Sequence, residues 1–154
     1  MMIERQLEID LAAALSALPA FAGVQIACSR SGTRKEAQGG TVAAVACGFR
    51  QNDAFSLSPI TVNAAVTVIT RSETDTEAAR HDEIVEAAAD LLSRWHKYGG
   101  PMADALSNEK FLAGELRMDG GSAREFDQMT STWRDTLNFS IRGAEKFPAQ
   151  DISD

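Results

Sequence analysis

Apolar residues recur every fourth position at Ile3, Leu7, Leu11 and Leu15, with Ile9, Ala14 and Leu18 close to that stripe. Charged Glu4, Arg5, Glu8 and Asp10 take other positions, so the segment reads as an amphipathic helix. Pro19 ends it by Leu18, because proline disfavours helical geometry in the residue before it and has no N–H to donate. Val24, Ile26 and Cys28 then alternate with Gln25 and Ala27, the period of a short half-buried strand. Residues 29–40 turn polar and glycine-rich, which predicts a long exposed hairpin loop. A second strand follows over 41–50, closed by the turn-forming Gln51-Asn52-Asp53. The clearest strand covers 60–68. Ile60, Val62, Ala64, Val66 and Val68 form one face and Thr61, Asn63, Ala65 and Thr67 the other, a layout suited to a sheet covered on one side only.

Thr74-Asp75-Thr76-Glu77 has the spacing of a capping box, in which hydroxyl and carboxylate satisfy free N–H groups at a helix start. Ile84, Val85, Ala88, Leu91, Leu92 and Trp95 continue at helical spacing, and Gly99-Gly100-Pro101 supplies the stop, giving a helix of about six turns. After a short helical segment or turn through Leu106, 111–118 reads as a strand, with Leu112, Leu116 and Met118 on one side and Glu115 and Arg117 on the other. Asp119-Gly120-Gly121 closes it. Trp133, Leu137, Phe139 and Ile141 alternate with polar residues in a last long strand, whose apolar face is interrupted only by Asp135. This order predicts an α+β fold, an antiparallel-rich mixed sheet with helices packed on one face. Residues 1–143 are expected to form a single domain and 144–154 a flexible C-terminal tail.

Composition narrows the function classes. The chain has 154 residues, 44% hydrophobic and 24% charged, as expected of a globular domain rather than a disordered one. A net charge of -7 argues against a general nucleic-acid binder, which needs a basic face. Cys28 and Cys47 both sit in alternating apolar stretches and read as small buried hydrophobes rather than a disulfide or metal pair. The N-terminus lacks the apolar run of a secretory signal and no stretch is long enough to span a bilayer, so a soluble protein retained in the cell that makes it is expected.

Catalytic chemistry finds no address in the sequence. His81 and His96 lie about 22 Å apart along one expected helix, too far to share a metal. In His81-Asp82-Glu83 consecutive helical residues point in different directions, so His81 reads as a surface residue without a role. Gly39-Gly40 and Gly120-Gly121 lack the lysine and hydroxyl of a phosphate-binding loop. Asp119, Glu125 and Asp127 lack the ligand order of a calcium loop and read as a solvated loop. No nucleophile elbow or electropositive cysteine is present. Arg30, Arg34 and Lys35, bunched in the long loop, are the best candidate interface.

The run ITVNAAVTVITRSETDTEAARHDEIVEAAADLLSRW, a long strand leading into the central helix, is preceded by the amphipathic helix and the long loop 29–40. FLAGELRMDGG and TWRDTLNFSIRG complete the pattern. Over about residues 3–142 this order resembles a bacteriophage tail-terminator or tail-completion protein, the small α+β subunit that caps the tail tube. The resemblance implies a homo-hexameric ring that stacks on the tail-tube protein, stops its polymerisation and meets the head-tail connector protein. It implies no cofactor, no membrane contact, DNA only as passing cargo, and a place in the virion tail after synthesis in the bacterial host cytoplasm. The alternatives are a small protein-binding or regulatory module without catalytic activity, and an enzyme whose site is completed across a subunit interface.

Overall fold

The computed structural model describes residues 2–28, 41–52, 59–72, 78–94, 105–121 and 124–145. Helix α1 (Ile3–Ser16) is followed by a single 3-10 turn at Pro19–Phe21. The strands are β1 (Gln25–Cys28), β2 (Val42–Asn52), β3 (Pro59–Arg71), β4 (Phe111–Gly121), β5 (Glu125–Asp127) and β6 (Thr132–Glu145), with helix α2 (Ala79–Ser93) between β3 and β4. They form a 6-stranded sheet in the order β1-β2-β3-β6-β4, and β5 pairs with β6 beside β4. The fold is thus α+β as expected, and every strand pairing is antiparallel except β1 with β2.

The alternation in β3 decides which side is covered. Ile60, Val62, Ala64, Val66 and Val68 are buried beneath the helices together with Ala43, Val45 and Cys47 of β2 and Phe139 and Ile141 of β6. Leu7, Leu11 and Leu15 close the core from α1, and Ile84, Ala88 and Leu92 from α2. Truncating any one of these fully buried leucines to alanine costs about 2–5 kcal/mol. The opposite side of the sheet is uncovered among the described residues, with Asn63, Asn138 and Arg142 exposed and Thr67 and Thr136 sharing a hydroxyl hydrogen bond of 3.1 Å across the strands.

Several expectations are corrected. Residues 29–40 do not join a hairpin: β1 and β2 run parallel, Gln25 opposite Val42 and Cys28 opposite Val45. A parallel pair needs a crossover of roughly a dozen residues, which this connection supplies. Gln51 and Asn52 are strand, not turn, because a bulge between Cys47 and Arg50 lets β2 resume pairing with Thr61 and Ile60. Helix α2 begins at Ala79, since Ala78 takes a left-handed conformation (φ 56) that no helix continues through. The capping-box residues 74–77, Trp95 and the glycine stop at 99–101 lie outside the described residues.

Strand β4 runs on to Gly121 and holds two irregularities, at Gly114 and at Asp119, where the register against β6 shifts by one residue. An extra residue in one strand turns all later side chains to the other face. So Phe111 and Ala113 are buried before Gly114 and Leu116 after it, while Leu112, expected on the apolar side, is 52% exposed on the open face. The strand β5 was expected to be loop. It forms a hairpin with β6 through a turn in which Ser131 is left-handed (φ 53) and the Met129 N–H donates to Asp127 Oδ1 at 3.0 Å. β6 continues through Ala144 and Glu145, and residues 146–154 lie outside the described residues.

Candidate functional site

His81 is not a surface residue. It lies in the first turn of α2 and is 0% exposed, pressed onto the inner face of the sheet between Thr70 of β3 and Asp135 of β6. Asp135 Oδ2 stands 2.7 Å from Nε2, and the Thr70 hydroxyl meets Nδ1. A carboxylate can only accept, so Nε2 donates to Asp135, while Nδ1 and the Thr70 hydroxyl share the second hydrogen bond. The local sequence could not show this, because the partner is 54 residues away. The signal lay in Asp135, the one polar residue between Trp133 and Ile141 on the apolar face of β6.

Hydroxyl, imidazole and carboxylate in a row have the order of a nucleophile relay. Here the hydroxyl belongs to Thr70, which is 1% exposed, so nothing approaching from solvent reaches its oxygen. The junction instead fastens α2 to the two central strands. The next residue along α2 fastens a third element: Asp82 accepts from Arg124 at 2.7 Å, and the Arg124 guanidinium lies 5.3 Å from the Trp133 ring, which in turn packs on Phe126 at 4.9 Å. The first turn of α2 thereby holds both the sheet and the β5–β6 hairpin. That hairpin presents Phe126 and, at its turn, Met129, which is 95% exposed.

A second polar feature is buried under α1. Glu8 is 0% exposed; its Oε2 accepts from the Cys47 N–H at 2.7 Å, and its backbone carbonyl receives the Cys28 thiol at 3.6 Å. The carboxylate thus answers a backbone donor at the edge of the β2 bulge. Both cysteines are buried, as expected, and neither is in a disulfide. Cys28 pairs with Val45, which puts Cys47 diagonally about 8 Å away, beyond the reach of a disulfide.

The candidate interface residues Arg30, Arg34 and Lys35 lie outside the described residues, as does His96. Asp119, Glu125 and Asp127 are not drawn into one site: Asp119 sits at a bulge, and Glu125 and Asp127 face Arg134 and Thr132 across the hairpin. Among the described residues no group of three or more His, Cys, Asp or Glu side chains can hold a metal ion, and no helix is long and apolar enough to cross a membrane. What the described surface does offer is the open side of the sheet and the β5–β6 hairpin with its exposed Phe126 and Met129.

Comparison of the whole architecture with solved structures gives a match to a chain in the virion of the native gene transfer agent particle. The fold is one that a virion uses. The superposition has a TM-score of 0.59 at 15% sequence identity and covers 90% of this chain and 94% of the gene transfer agent chain. It therefore concerns the complete arrangement of sheet and helices, not a shared hairpin. No family model and no curated protein matches the sequence.

Proposed function

We propose that this chain is a structural, non-catalytic subunit of a phage or phage-like particle, a tail-completion protein. In this reading it forms a homo-hexameric ring that caps the tail tube, terminates its polymerisation and joins the tail to the head connector, with DNA passing through. The observation that carries the reading is the near end-to-end fold match with a gene transfer agent virion chain, joined to the element order that resembles the tail-terminator family. The burial of Thr70 keeps the Thr70–His81–Asp135 row away from any substrate, and the bare sheet face and exposed hairpin supply surfaces for assembly. The segment bearing Arg30, Arg34 and Lys35 is proposed to contact a neighbouring subunit or the tail-tube protein.

Light scattering of the purified protein, with negative-stain imaging, tests the reading. A mass of six subunits and ring-shaped particles is expected, either alone or after mixing with tail-tube protein. A chain that stays monomeric and leaves tube length unchanged when mixed would overturn it in favour of a small protein-binding module.

A further inference from the structure

The two sides of the molecule differ in charge. On the open side of the sheet, β3 and β6 present Arg71, Arg134 and Arg142 and no acid; the acids there stand on the bordering strands β4 and β5. On the helix side, α2 turns Glu83, Glu86 and Asp90 to solvent, at the spacing of a single stripe. Arg80 and Arg94 lie at the two ends of that stripe in exposed ion pairs with Glu83 and Asp90. Exposed pairs of this kind are weak and exchange readily for other partners.

One corner of the open face matches the stripe in size. Arg117 on β4 stands opposite Ser140, two residues from Arg142 on β6, which puts the two arginine Cα atoms about 8 Å apart. From Glu83 to Asp90 the stripe is about 10 Å long. Leu112, half exposed beside Ala144, adds an apolar contact next to the arginines. Ser140 and Ala144 keep the corner shallow, so a helix can lie close to the strands.

The geometry points to a second copy of this chain as the occupant: its α2 lays Glu83, Glu86 and Asp90 on the Arg117/Arg142 corner, helix side against open sheet side. The inference rests on the ring reading and deepens it, because a contact between two different surfaces of identical subunits repeats about an axis and gives a ring when the rotation closes. Glu115 stands opposite Arg142 on the same face and offsets part of the corner's charge. Removing that charge must therefore tighten the contact, an outcome that a merely structural role for Glu115 does not produce.

The test is self-association of the full chain, read as absolute mass over a concentration series. One variant carries Arg117→Glu and Arg142→Glu, another Glu83→Arg, Glu86→Arg and Asp90→Arg, and circular dichroism verifies that each is folded. Each reversal alone is expected to weaken association at least roughly tenfold, mixing the two to restore it, and Glu115→Gln to strengthen it. Wild-type rings that persist unchanged in both reversed variants would overturn this contact and leave the ring reading intact. A wild-type chain that is monomeric alone and on tube ends would overturn both.

Discussion

Replacing His81 by phenylalanine tests whether the Thr70–His81–Asp135 junction is a coupled unit. The ring volume is nearly kept, so the cost arises from polar groups left behind. The Thr70 hydroxyl, 1% exposed, loses its hydrogen-bond partner on His81 at a cost of about 1–3 kcal/mol. The Asp135 carboxylate loses a charge-assisted hydrogen bond; its side chain is 13% exposed and so recovers part of its hydration, leaving about 1.5–3 kcal/mol. Together the variant should lose about 3–5 kcal/mol, a shift of about 2 M in the urea midpoint for an m-value of about 2 kcal/mol/M. Removing all the polar groups at once, as Thr70→Val/His81→Phe/Asp135→Leu, leaves nothing unsatisfied and should return most of the loss. Equilibrium urea unfolding of the single and triple variants measures both numbers. A single variant within about 1 kcal/mol of the parent, or a triple variant worse than the single one, would refute the coupling.

Glu8→Gln keeps an oxygen for the Cys47 N–H and should cost less than Glu8→Leu, which orphans that donor at about 1–3 kcal/mol; urea unfolding separates the two. Gly143→Ala brings a Cβ into the Leu112 carbonyl oxygen and to 2.5 Å from Phe111 Cζ. Because the nearest obstacle is backbone, a loss of about 1–3 kcal/mol and a lowered melting temperature are expected, with no such loss for Gly48→Ala, whose nearest neighbour is at 3.4 Å. Reversal of Arg34 and Lys35 to Glu should impair assembly in light scattering while leaving the circular dichroism spectrum of the subunit unchanged.

Elements with unbroken periodicity were legible in the sequence. The alternation through Ile60–Val68 and the four-residue stripe from Ile3 to Leu15 each report one environment along their whole length. Reading failed where one residue changes the phase. Gly114 turns Leu112 outward and Leu116 inward, and no local pattern distinguishes that from a plain strand. It failed again where partners are remote: the parallel pairing of β1 depends on which side the chain returns to, and the burial of His81 depends on Asp135 in another strand. Even so, the interruption at Asp135 was visible, and an acid on an apolar strand face invites a search for a buried donor. The β5 strand, three residues long and exposed at Glu125 and Phe126, lacks enough alternation to be seen at all.

The pairing of β3 with β6 sets a problem of timing during synthesis. Thr67 and its partner Thr136 are 69 residues apart, so at about 5–20 residues per second β3 leaves the ribosome roughly 3–14 s before the strand that will flank it. Throughout that interval β3 has β2 on one edge and nothing native on the other. An unfilled edge of this length is an invitation to pair with another nascent chain. Helix α2, which packs on β3 and is synthesised soon after it, is the device by which the emerging chain can cover that strand's apolar face until β6 arrives.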